Sequence, residues 1–121
     1  MSEEISEIAT PDLVTETDVT ETRIEVRLVG SAESVTRDDL TAFLQAIHRV
    51  ALESNVQEVV FDLRALEFMS AACLRSMLAW MREVESAPRY LARFVSDSKR
   101  HWQRRSLEGL ASIGGERVHI D

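Results

Sequence analysis

The sequence predicts an α/β fold: a mixed, mainly parallel sheet of about five strands packed with three to four helices. Three observations carry this. Apolar strand-like segments alternate with amphipathic helices along most of the chain, the pattern of parallel crossovers. Two strand-like segments stand together at the front with no helix between them, which adds an antiparallel edge. The length, 121 residues with 45% apolar and 29% charged side chains, suits a single domain able to bury a core.

Residues 1–11 are rich in Glu, Ser and Thr and poor in large apolar groups, so they bury too little surface to offset their ordering entropy. They are expected to form an acidic, flexible leader, with the domain proper spanning 12–121. Leu13 to Thr17 reads as a short edge strand. Ile24, Val26 and Leu28 alternate with Arg23, Glu25 and Arg27, the period of a half-buried strand, and Gly30 is expected to end it. Thr36 with Asp39 three residues later predicts a capped helix start. Leu40, Phe43, Leu44, Ile47 and Ala51 then mark its buried face, and Asn55 is suited to a left-handed close.

Val56 to Leu63 is a nearly continuous apolar run, expected to be a central strand covered on both faces. Residues 64–69 read as a short link carrying an apolar pair, Phe68-Met69. Ser70 is placed to cap a second helix with Leu74, Met77, Leu78 and Met81 inward, and Pro88 lies just past its end. Tyr90 to Val95 is a further strand. A third helix from about Ser98 to Leu110 is followed by Gly114-Gly115 and a last strand, Val118 to Ile120.

The charge distribution narrows the function. The net charge is −7, and residues 1–21 hold seven acids and no base, so the remaining 14 acids are matched by the 14 Lys and Arg. A neutral body behind an acidic leader has no field to hold a phosphodiester backbone, and nucleic acid is not expected as a partner. No apolar run reaches the roughly 18 residues of a membrane span, and the first residues have no secretory-signal pattern, so no membrane insertion and a cytoplasmic location are expected. The single cysteine, Cys73, fits a reducing compartment. His48, His101 and His119 are scattered without metal-ligand spacing, and no glycine-rich phosphate loop is present. Nothing points to an enzyme, a metal or a cofactor.

The order of elements, together with the stretch Val59-Val60-Phe61-Asp62-Leu63 … Phe68-Met69-Ser70-Ala71-Ala72-Cys73-Leu74, resembles the STAS domain of bacterial anti-sigma factor antagonists and of sulfate-transporter modules. Gly30 matches the glycine at the end of the family's second strand, and Leu107-Glu108-Gly109-Leu110 the close of its third helix. The family pattern is an apolar strand, Asp-Leu, a link, an apolar pair, then Asp-Ser-Ser/Ala-Gly-Leu opening a helix. In register, Ser70 stands where the family has its second aspartate, Ala71 where it has the phosphorylated Ser or Thr, and Cys73 where glycine is usual. The resemblance therefore implies a variant without the phosphoacceptor.

What it implies about function is a non-enzymatic regulatory module of the anti-sigma factor antagonist type. It would bind a serine kinase/anti-sigma factor, or a multi-protein complex, in bacterial partner switching. The implied surface comprises Asp62, Met69, Ser70, Ala71, Ala72, Cys73 and Arg75. Ser70 reads first as a helix cap and second as a substitute phosphoacceptor, and Cys73 first as a small buried group and second as a redox thiol. Trp80 reads equally as a binding anchor and as the rim of the core. The only dense basic segment, with Lys99, Arg100, Arg104 and Arg105, reads as a solvated helix face or as a patch for phosphate or an acidic partner. Two other functions stay open at this point: a structural subunit of a transporter or signalling complex, and a nucleotide- or lipid-sensing domain. An exposed sheet edge also leaves a homodimer open.

Overall fold

The computed structural model describes residues 5–86, 89–97, 99–114 and 118–121. Strand β1 (Leu13–Val19) pairs antiparallel with β2 (Arg23–Ala32), and a single 3-10 turn (Ser34–Thr36) leads into α1 (Arg37–Ser54). Strand β3 (Glu58–Asp62), strand β4 (Leu66–Met69), α2 (Ala71–Ser86), β5 (Leu91–Val95), α3 (His101–Gly114) and β6 (Val118–Ile120) follow. The sheet runs β1-β2-β3-β5-β6, parallel except for β1, with β4 also parallel to β2. Among the described residues it thus has six strands where about five were expected, alongside three helices. The added strand, β4, lies in what read as a link. After the turn at residues 63–65 the chain rejoins β2 and pairs Leu66 with Gly30 and Met69 with Ala32. Four residues with no alternation of their own carry too little pattern to announce a strand.

Gly30 does not end β2. It is a kink inside it, with φ +110°, and the register against β4 shifts just after it. A Cβ there would stand 2.1 Å from the Asp12 carbonyl oxygen, so both the backbone conformation and the close pass of the chain entering β1 require glycine. Asn55 closes α1 in the left-handed region, as expected, at φ 55° and ψ 39°. The capping box at the other end of α1 does not form. The Thr36 hydroxyl turns back to the Glu33 carbonyl at 2.7 Å, because the 3-10 turn buries this side chain.

The core lies on one face of the sheet. Ile24, Val26 and Leu28 of β2, Val59 and Phe61 of β3, and Ala92 and Phe94 of β5 are buried, while the residues between them are half-buried or exposed. Strand β3 is therefore covered on one face, not on both. Its Glu58, Val60 and Asp62 face the open side, where Arg23 and Arg93 both bridge Glu58 and Arg27 reaches Glu16. Among the described residues α2 packs between α1 and α3, and none of the helices is long and apolar enough to cross a membrane.

Residues 5–11, within the stretch that composition assigns to a flexible leader, are in place. Ile8 is buried in the core cluster and Ala9 bridges Val14. Pro88, Ser98 and Gly115, named above as helix-boundary residues, lie outside the described residues, as do the side chains of His101 and Arg104.

Candidate functional site

The start of α2 is assembled from three separate segments. Met69 pairs with Ala32, and the Ser70 N–H donates to the Ala32 carbonyl at 2.8 Å, so β4 delivers the helix beside the end of β2. The Ser70 hydroxyl oxygen accepts the Cys73 N–H at 3.2 Å, an N-cap that satisfies one of the helix's free donors. Cys73 itself points inward. Its thiol donates to the Glu33 carbonyl at 3.3 Å and lies 3.9 Å from the Thr36 hydroxyl, tying α2 to the turn before α1.

Several apolar residues on the segments that meet at this start are exposed. Val35, in the 3-10 turn, is 81% exposed and Phe68 on β4 is 43% exposed. Ala71 is exposed, and Met69 and Ala72 are half-buried. Arg75 is exposed one turn further along α2. No hydroxyl is exposed among residues 69–73: Ser70 is buried at 6% and occupied by its cap.

The residues expected on that surface do not all lie together. Ser70 and Cys73 are buried, and each is used locally to begin the helix. Asp62 is not beside the helix start. It pairs with Arg27, five residues along β2 from Ala32, a separation of about 16 Å at the usual rise per strand residue. There Arg64 grips it through two side-chain bonds, Nε to Oδ1 at 3.0 Å and a terminal guanidinium nitrogen to Oδ2 at 2.8 Å, with the Arg64 N–H adding a third. These bonds hold the Asp62 carboxyl below the usual carboxylate range.

Trp80 is not a surface anchor. It is 2% exposed and packs edge-on to Phe61 at 5.0 Å and to Phe94 at 6.2 Å between ring centres. The inward stripe of α2 is Cys73, Met77, Trp80, Met81 and Val84, turned by about one position from the expected one, with Leu74 and Leu78 half-buried on its flank. Below Trp80, Tyr90 is buried and its hydroxyl lies 2.7 Å from His48 Nδ1; burial pushes its phenol well above the ordinary value.

The basic segment is divided. Lys99 and Arg105 are exposed, whereas Arg100 is half-buried and donates from Nε to the Arg64 carbonyl at 3.2 Å. Between them Gln103, fully buried, makes three bonds: Nε2 donates to the Leu63 carbonyl at 2.6 Å and to the Leu66 carbonyl at 3.0 Å, and Oε1 accepts the Asp97 N–H at 2.8 Å. Gln103 and Arg100 thus pin the turn that feeds β4 and the start of α2. Sequence reasoning missed this residue. A glutamine among basic residues carries no sign of burial, although its position four residues before the buried Leu107 places it on the inner helix face.

No known family model and no curated protein matches the sequence. Solved structures do match. An anti-sigma factor antagonist from Mycobacterium paratuberculosis superposes with a TM-score of 0.64 at 20% identity, over 93% of this chain and 90% of that one. The fold of this chain is STAS-like. The anti-sigma factor antagonist SpoIIAA in its unphosphorylated form gives 0.62 at 17% identity, over 88% of this chain and 87% of that one. The phosphorylated form of SpoIIAA, described as a Bacillus cell fate determinant, gives 0.59 at 17% identity, over 88% and 90%. At 17–20% identity these superpositions show the shared fold alone.

Proposed function

We propose that this STAS-like domain is a regulatory binding module of the anti-sigma factor antagonist type. It docks a serine kinase/anti-sigma factor through the apolar surface at the start of α2, and carries no phosphate switch there. The observation that carries the reading is the exposure of Val35, Phe68 and Ala71 about a helix start where the one hydroxyl within residues 69–73, Ser70, is buried as a cap. Large exposed apolar side chains grouped on one surface are the usual anchors of a protein interface. A phosphate at a helix start in such an interface would bring nearly two charges to be desolvated and would break the contact. A methyl group at position 71 keeps the surface apolar at all times. Arg75 supplies a charge at its rim, and Asp62 lies outside it.

The test is binding of the full chain to a purified serine-kinase anti-sigma factor. Phe68→Asp and Ala71→Asp are expected to weaken binding by about tenfold or more while leaving the urea midpoint nearly unchanged. ATP is expected to leave the complex intact. Stoichiometric phosphate mapped to residues 70–76, or unaltered binding by both variants, would overturn the proposal.

A further inference from the structure

The outer edge of β1 is the end of the sheet, and the chain's own residues 7–10 cover it. The Leu13 N–H donates to the Thr10 hydroxyl at 2.9 Å, the Thr15 N–H to the Ile8 carbonyl at 2.9 Å, and the Thr17 N–H to Glu7 Oε2 at 2.8 Å. Three successive outward donors are thus met by a side-chain hydroxyl, a backbone carbonyl and a carboxylate. A regular neighbouring strand would meet them with carbonyls alone. The Glu7 carboxylate also accepts the Thr15 and Thr17 hydroxyls at 2.7 and 2.9 Å, so it does the work of a strand's next residues. Only Ala9 and Val14 form a true bridge, and Ile8 is the sole side chain of this segment that is fully in the core.

The cover leaves space beside it. A groove of about 560 Å³ runs between residues 6–10 and α1, with Ala42, Phe43 and Ala46 among its lining residues and Asp39 and Arg49 at its margins. On the other side, the open face of β1 presents Glu16 and Asp18, with Asp12 and Glu7 exposed nearby. Among the described residues the only basic group bridged to these is Arg27, at 3.6 Å from Glu16.

We propose that residues 5–9 are a displaceable edge strand, and that the β1 edge beneath them accepts an extended segment of a partner protein whose apolar and basic residues alternate. Strand geometry sets that alternation. Side chains on one side of an added strand enter the groove over Phe43 and Ala46, and those on the other lie beside Glu16 and Asp18. A second copy of β1 is a poor occupant, because antiparallel pairing centred on Glu16 sets like charges opposite each other. The site is separate from the α2 surface and does not depend on the function proposed for it.

Two measurements on the full chain, labelled with 15N, decide the matter. In hydrogen exchange, the Thr15 and Thr17 amides are expected to exchange well before Val14 and Glu16, which bond to β2. Glu7→Ala is expected to speed Thr17 about fivefold, the effect of one lost hydrogen bond. A synthetic Lys-Ile-Lys-Val-Lys-Ile peptide is expected to shift the amides of Leu13, Thr15, Thr17 and Ala46, and to bind Glu7→Ala about fivefold more tightly, because the competing segment opens more readily. The same peptide with Glu in place of Lys is expected to shift none of them. Ile8→Ala should act in the same direction as Glu7→Ala by removing the segment's one core contact. Thr15 and Thr17 amides as slow as their β2-bonded neighbours in wild type and variants would overturn the proposal. So would a basic peptide that leaves β1 unshifted, or an acidic one that binds equally well.

Discussion

At its far end α2 gives its largest side chains to the core: Trp80, Met81 and Val84 are buried, and Trp80 closes an aromatic group with Phe61, Phe94 and Tyr90. At its start the same helix shows Ala71 and Ala72, a buried serine cap and an exposed phenylalanine from the preceding strand. One end is held by area removed from water. The other is held by hydrogen bonds, from Ser70 to the helix and from Gln103 to the turn before it. The difference shows how a helix end stays fixed with little packing of its own: beyond the buried Cys73, polar bonds do the positioning and Ala71 is left exposed.

The contrast can be broken at three places. Trp80→Ala should cost the most, about 3–5 kcal/mol in urea unfolding, since it empties the centre of the aromatic group. A loss under about 1 kcal/mol would mean that the far end is not what anchors the helix. Gln103→Ala should cost about 2 kcal/mol, because it removes the side-chain bonds to the Leu63 and Leu66 carbonyls and to the half-buried Asp97 N–H, the Leu63 carbonyl keeping only the Leu66 N–H. Amide exchange should then quicken at Ser70 and Cys73 more than at Val84; uniform quickening would deny Gln103 a special hold on the helix start.

The smallest effect belongs to the exposed Asp62–Arg64 pair. With the folded carboxyl held below its unfolded value of about 3.9, its contribution is complete above about pH 5 and fades as the pH falls through the folded value. Arg64 is largely exposed and solvent screens the pair, so the difference should barely exceed error. Asp62→Asn should lie slightly below wild type at pH 6 and merge with it at acid pH. A gap that widens on acidification would reverse the assignment.

Legibility in the sequence followed periodicity. The alternation of Ile24, Val26 and Leu28 and the helical spacing of Leu40, Phe43, Leu44 and Ile47 sufficed to place β2 and α1, because burial on one face imposes a period on the chain itself. Strand β4 and the inward turn of Trp80 were not legible in the same way. Leu66 to Met69 is a strand only because β2 lies alongside it, and the Trp80 ring has two edges of apolar residues to choose between until Phe61 and Phe94 are in place. The candidate site was half legible: Phe68-Met69 and Ala71 stood out by register, whereas Val35, Gln103 and the distance to Asp62 did not.

The sequence by itself determined the α/β order, the buried faces of β2 and α1, the left-handed close at Asn55 and the absence of a hydroxyl at position 71, all properties of neighbouring residues or of a local period. Only the tertiary structure decided that Gly30 kinks a strand instead of ending it, that the sheet is open on one face, that Ile8 joins the core and that Gln103 pins the helix start. Each of these depends on a contact with a residue distant in the chain (Asp12 on Gly30, Thr15 on Ile8, Leu63 on Gln103), and such a partner leaves no period in the segment it holds.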